Sequence, residues 1–139
     1  MIQRIQTVWL FLAALCAALT FKFPFYTGNV ATKDNIMAYE QLVASSNFLL
    51  LILTAILIAG SLYIIFLYKE RKRQLWFTIG AAVVSASDLV IYFTQMKKFT
   101  SGNISLTSIL SFAIPVLFIL AARGIWKDEK LIKSLDRLR

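Results

Sequence analysis

Apolar residues are gathered into four long blocks, and polar residues form short clusters between them. The blocks cover roughly residues 6–25, 45–68, 75–95 and 104–122. A helix rises about 1.5 Å per residue, so about 20 apolar residues cross the hydrocarbon core of a bilayer. The pattern therefore predicts an all-α integral membrane protein. Short connections between the blocks predict a four-helix bundle that runs up, down, up and down.

The longest polar cluster lies between the first two blocks and reads KFPFYTGNVATKDNIMAYEQLVASS. Pro24 and the YTGN turn are expected to end the first helix. Asp34 suits the N-cap of a short helix that would lie on the outer leaflet or continue into the second span. The apolar face of that helix would consist of Ile36, Tyr39 and Leu42 or Val43. The KKFTSGN segment before the fourth block is expected to be a tight polar turn.

Composition agrees with a membrane protein and argues against several classes of enzyme. Hydrophobic residues make up 59% of the 139 residues, charged residues make up 16%, and the mean hydropathy is +0.72. Cys16 is the only cysteine, which excludes an intrachain disulfide, and the chain has no histidine. The usual metal ligand and the usual base at neutral pH are therefore missing. We expect a single domain over 1–139 that is not an enzyme and has no catalytic residues, metal or cofactor.

The basic residues are distributed unequally between the two sides of the predicted bundle. With the N-terminus inside, eleven Lys and Arg residues lie on the inner side and four on the outer side. Cytoplasmic loops are enriched in Lys and Arg, so both termini are predicted to be cytoplasmic. Trp9, Trp76 and Trp126 fall at inner ends of the spans, and indole rings favour the headgroup level. We expect the cytoplasmic side to contact anionic lipid headgroups.

The third block includes VVSASDLVIYF and therefore contains a carboxylate, Asp88. An Asp at the centre of a spanning helix costs roughly 2.5–3.5 kcal/mol on insertion, so we expect its side chain to face the bundle. Asp88 belongs to a polar stripe at helical spacing. The stripe comprises Ser85, Asp88, Tyr92 and Gln95. Lys22, near the outer end of the first span, is a candidate counter-ion because a long Lys side chain can reach towards it.

Two interpretations of this polar stripe stay open. In the first, it is an ion or proton site or a polar pocket for a small ligand. In the second, Asp88 fixes helix register or meets a partner subunit. Few polar residues occur in the first two spans, and this favours the structural interpretation.

The C-terminal segment RGIWKDEKLIKSLDRLR predicts a short amphipathic cytoplasmic helix over 124–139. Gly124 permits a bend before it. Leu131, Leu135 and Leu138 form an apolar stripe, while Glu129 and Lys133 lie at positions i and i+4. A surface of mixed charge favours a protein partner, whereas a helix that lies flat under the bundle is the alternative.

Three motifs, MIQRIQTV at the start, YKERKRQL in the middle and DEKLIKSLDRLR at the end, resemble those of a family of small four-helix inner-membrane proteins of Bacteroidota. That family is catalogued as a domain of unknown function. The resemblance covers the whole chain and implies four spans in the bacterial inner membrane, without implying an activity. It draws attention to a set of charged residues that would form a cytoplasmic docking surface. These are Arg4, Arg71, Arg73, Asp128, Glu129, Lys130, Asp136, Arg137 and Arg139.

The sequence thus favours a non-catalytic accessory or scaffolding subunit of a larger bacterial inner-membrane complex, such as one for envelope biogenesis or protein export. The alternative is a small protein that binds or transports an ion, a proton or a small ligand at Asp88. A basic regulator that binds RNA through Arg71 to Arg73 ranks third, because a basic loop between two spans is what orientation alone requires. We expect other membrane subunits as partners, and no nucleic acid.

Overall fold

The computed structural model of the protein describes residues 2–31 and 36–136. Long helices dominate it, and short strands occupy two of the connections. The helices are α1 (Ile2–Leu19), α2 (Phe48–Phe66), α3 (Arg71–Met96) and α4 (Ile109–Asp136), and the strands are β1 (Tyr26–Ala31), β2 (Met37–Leu42) and β3 (Ser101–Ile104). The helical segments Phe48–Lys69, Arg71–Met96 and Leu106–Leu135 are each long and apolar enough to span a membrane, whereas the apolar part of α1, Ile5–Leu19, is shorter.

The four helices form a closed bundle in which each packs against its neighbours in sequence and α4 returns to α1. They alternate in direction as predicted. We call one end of the bundle the basic end. It contains the start of α1, the α2–α3 connection and the end of α4. We call the opposite end, which contains the strands, the sheet end. There the Ala44 amide donates a hydrogen bond to the Thr20 carbonyl at 3.1 Å.

The bundle interior contains two apolar clusters. The larger one runs through the middle of the bundle and includes the fully buried Leu10 and Phe118. The smaller one joins the helices to the strands at the sheet end. Its buried members are Phe25, Leu42, Leu50 and Tyr92.

The strands form a three-stranded antiparallel sheet in the order β2-β1-β3, which the sequence analysis did not predict. The expected helix with an apolar face of Ile36, Tyr39 and Leu42 is wrong, because residues 37–42 form β2. Asp34, the expected N-cap, lies outside the described residues. The segment predicted as a tight turn before α4 contributes β3.

Two glycines allow β1 and β3 to approach closely. Gly28 is opposite Gly102 in the register. A Cβ atom on Gly28 would lie 2.3 Å from the Ser101 carbonyl oxygen, and one on Gly102 would lie 2.5 Å from the Thr27 carbonyl oxygen. Both obstacles are backbone atoms, so neither position accommodates a side chain without moving a strand.

Helix α4 is continuous, so the predicted C-terminal helix is the last part of α4 and not a separate helix. It runs through Gly124 to Asp136 as one α-helix of 28 residues. Pro115 also lies within it. Gly124 serves packing instead of bending, since a Cβ atom there would lie 3.0 Å from Cγ of Gln6 on α1.

Candidate functional site at the buried carboxylate

The buried face of α3 is entirely polar, whereas the other helices bury largely apolar faces. Its members recur at helical spacing, so they lie along one side of the helix. Asp88 is 4% exposed and Tyr92 is 1% exposed, and Gln95 at the end of the stripe is half-buried. The buried residues of α3 are Gln74, Thr78, Ser85, Asp88 and Tyr92.

Each of the other helical segments brings hydroxyl groups into the interior. Three of these hydroxyls bond carbonyls of their own or the adjoining helix. Thr20 donates to the Ala17 carbonyl at 2.7 Å, Thr54 to the Leu50 carbonyl at 2.8 Å and Ser61 to the Ile58 carbonyl at 2.9 Å. Such back-bonding is usual for Ser and Thr in helices. The buried hydroxyl residues are Thr20 after α1, Thr54 and Ser61 of α2, Ser108 just before α4, and Ser111 of α4.

Asp88 and Tyr92 are the exceptions to this pattern of satisfied polar groups. Within the described residues, Oδ1 of Asp88 and the hydroxyl of Tyr92 are buried and have no hydrogen-bond partner. The Thr20 and Ser111 hydroxyls lie beside that of Tyr92, although no hydrogen bond of normal geometry joins them. An unpaired polar atom in an apolar interior costs roughly 1–3 kcal/mol, so this pair needs an explanation.

An aromatic residue closes the site towards the sheet end. The ring of Phe25 stacks on that of Tyr92, with centroids 4.5 Å apart and an interplanar angle of 25°. The Phe25 backbone is held by both strand connections, because its amide bonds the Leu42 carbonyl at 2.7 Å and its carbonyl accepts from the Ser105 amide at 3.1 Å. Tyr92 therefore packs against an aromatic residue whose backbone is held in place.

Lys22 does not act as the predicted counter-ion. Its side chain is exposed beyond the end of α1, and no salt bridge joins it to Asp88. The Lys side chain is long enough to remain at the polar boundary, where its ammonium group keeps its hydration. No ion pair formed by the described residues includes the Asp88 carboxylate.

The residues of the predicted docking surface differ in their exposure. Asp128 is only 6% exposed and accepts a hydrogen bond from Nε2 of Gln6, so its side chain does not lie on an exposed surface. Glu129 pairs with Lys133 at 2.7 Å. Arg73 and Lys130 are exposed and Arg71 is half-buried. Arg4 lies in α1 and Asp136 ends α4, while Arg137 and Arg139 lie outside the described residues.

Buried amides at the basic end were missed by the sequence analysis. Gln6 bonds Asp128, and Gln74 donates from Nε2 to the Ile64 carbonyl at 3.1 Å, which also accepts from the Leu67 amide near the end of α2. The available signal was a Gln at the inner end of two of the predicted spans, within MIQRIQTV and YKERKRQL.

The profile of the family described as "Domain of unknown function (DUF4293)" matches residues 2–138. The chain belongs to this family. A search of curated proteins finds no match. In this DUF4293 member the three sequence motifs each supply one buried polar residue at the basic end, namely Gln6, Gln74 and Asp128. The motifs therefore contribute to holding the helix ends together.

The groups at Asp88 can bind small polar species. A carboxyl group and neighbouring hydroxyls can hold a proton, coordinate a small cation or accept a hydrogen bond from a polar ligand. Across residues 2–31 and 36–136, no group of three or more Cys, Asp or Glu side chains is arranged to hold a metal ion.

Proposed function

We propose that the protein is a non-catalytic accessory subunit of a larger complex in the bacterial inner membrane, with all four helices in the bilayer and both termini in the cytoplasm. The charge distribution supports this orientation, because the basic end collects the Lys and Arg residues of the α2–α3 connection and of α4. Trp76 and Trp126 are exposed near the same end, at the level that indole rings prefer.

One observation supports the accessory role: α4 continues past Trp126 as one helix and leaves apolar side chains uncovered. Leu131 is 52% exposed and Leu135 is 65% exposed, one helical turn apart. Ten residues separate Trp126 from Asp136, so this part of α4 extends about 15 Å beyond the aromatic level. A continuous helix favours a segment that projects beyond the headgroup level over one that lies flat against the membrane. A protein partner would cover these leucines.

Site-specific photocrosslinking in cells tests this proposal. A photoreactive residue at position 131 or 135 is expected to capture one membrane protein in stoichiometric amount, and Leu131→Gln with Leu135→Gln is expected to abolish its co-purification. These substitutions leave Asp128 and its bond to Gln6 intact, unlike removal of the whole segment after Lys127.

The matched control is Leu106→Gln at the sheet end, where Leu106 is 90% exposed. This variant is expected to retain the partner. If the Leu131 and Leu135 variants retain it equally, or if the protein purifies alone under mild extraction, the accessory role is contradicted.

A second function, binding of an ion, a proton or a small ligand at Asp88, is favoured by the two unpaired atoms of Asp88 and Tyr92. Reconstituted vesicles test it. Asp88→Asn is expected to abolish proton or monovalent-cation flux while leaving the unfolding midpoint unchanged. Equal flux in Asp88→Asn and wild-type vesicles contradicts this function, as does an absence of flux in both.

A further inference from the structure

The outer face of α2 and α3 carries two adjoining depressions near the basic end. The one towards the bundle centre has a volume of about 500 Å³ and is apolar. The other, at the α2–α3 connection, has a volume of about 470 Å³ and includes charged residues. Volumes in this range are typical of sites for small molecules.

The two depressions share a wall. Tyr63 of α2 and Phe77 of α3 line both of them, and their rings meet edge to face with centroids 5.8 Å apart. One molecule can therefore extend from the charged depression into the apolar one. Such a molecule would need a polar head and a long apolar tail.

Two helix positions without side chains contribute to the apolar depression. Gly60 of α2 and Gly80 of α3 line it, and a Cβ atom built on either meets nothing within 4 Å. The remaining lining is aliphatic or aromatic, with Ile56 and Trp76 among its members. This surface is almost entirely apolar and matches a hydrocarbon chain.

The charged depression has a basic mouth. Lys69 and Arg73 line it together with Glu70. Arg73 pairs with Glu70 at 2.8 Å, but their side chains are 73% and 53% exposed, and exposed pairs contribute little. An anionic group can therefore displace the Glu70 carboxylate from Arg73. The neighbouring Arg71 and Lys72 give the mouth a positive charge overall.

We propose that this composite groove binds one anionic phospholipid of the cytoplasmic leaflet. The phosphate contacts Lys69 and Arg73, and an acyl chain follows Gly60 and Gly80. Trp76 marks the headgroup level between them. The inference rests on the bilayer orientation proposed above, and it is independent of any partner at Leu131.

Native mass spectrometry of the full chain in mild detergent, with added phosphatidylglycerol or phosphatidylcholine, tests this proposal. Wild-type protein is expected to retain one phosphatidylglycerol in preference to phosphatidylcholine. Lys69→Gln with Arg73→Gln is expected to weaken phosphatidylglycerol retention roughly thirty-fold, the equivalent of about 1 kcal/mol for each charge. Gly60→Leu with Gly80→Leu is expected to reduce retention of both lipids.

The matched control is Lys97→Gln with Lys98→Gln, which removes the same charge from exposed positions at the sheet end and is expected to change nothing. Equal retention of the two lipids by the wild type, or unchanged retention in the Lys69 and Arg73 variant, overturns the proposal. Dimers that disappear in the Gly60 and Gly80 variant would instead assign the groove to a second copy. If partner capture at Leu131 persists in any of these cases, the accessory function still stands.

Discussion

Gln6 of α1 donates a hydrogen bond from Nε2 to Oδ2 of Asp128 of α4, across 122 positions of the chain. Both side chains are almost fully buried, with exposures of 5% and 6%. A buried carboxylate is costly unless it is hydrogen-bonded, so this contact fixes how the first and last helices meet. The conspicuous motifs at the two ends of the sequence are thus explained in part by their contact with each other.

Asp128→Ala is expected to lower the free energy of unfolding by about 1–3 kcal/mol, because the Gln6 amide is left buried without an acceptor. Unfolding in mixed micelles, followed by circular dichroism, measures the change. Glu129→Ala is the control. It removes a pair with Lys133, which is 71% exposed, and is expected to cost no more than about 0.5 kcal/mol. Equal losses in the two variants would contradict the role of the buried contact.

Two glycines in helix interiors are expected to respond in opposite ways to substitution. Gly60→Ala fills open space and is expected to stabilise the protein by about 0.5–1 kcal/mol, because Ala favours the helix. Gly124→Val is expected to destabilise it by about 1–3 kcal/mol, because its side chain would displace Gln6. The same unfolding assay compares them, and a stabilised Gly124→Val would show that α1 and α4 do not pack here.

Tyr92 is expected to contribute to stability through its ring and not through its hydroxyl. Tyr92→Phe keeps the stacking on Phe25 and removes a hydroxyl without a partner, so its cost is expected to be below about 1 kcal/mol. Tyr92→Ala removes the ring and is expected to cost about 3–5 kcal/mol. A large loss of stability in Tyr92→Phe would show that the hydroxyl is hydrogen-bonded.

Cysteine labelling in cells is expected to separate the two ends of the bundle. In a Cys16→Ala background, cysteines replacing Lys72 or Ser134 should react with a membrane-impermeant maleimide only after the inner membrane is permeabilised. A cysteine replacing Ser101 should react beforehand. All three positions are exposed. Reaction of positions 72 and 134 from different compartments would contradict the proposed orientation.

The positions of the long helices follow from hydropathy because the apolar blocks are long and the loops are polar. The polar face of α3 also follows from spacing alone, since residues three and four apart share a side of a helix. The ends of the helices were less predictable. α1 ends at Leu19 and does not continue to Phe25. Thr20 begins a turn, and its carbonyl accepts a hydrogen bond from the Ala44 amide after β2.

The sheet escaped prediction because its stability comes from contacts that are distant in sequence. The spacing of Ile36, Tyr39 and Leu42 fits one helix face, and only pairing with β1 makes residues 37–42 a strand. β3 likewise exists through its pairing with β1, about 70 positions earlier. The continuity of α4 was missed for the same reason. The role of Gly124 depends on its contact with Gln6 of α1 and not on the residues next to it in the sequence.

Because β3 pairs with β1, the two outer connections of the bundle are joined by backbone hydrogen bonds, whereas the basic end is joined by side chains. Backbone pairing resists separation more than single side-chain contacts do. Relative rotation of the helices would therefore pivot about the sheet and have its greatest amplitude at the basic end. A protein that pulled on the end of α4 would act at the point farthest from this pivot.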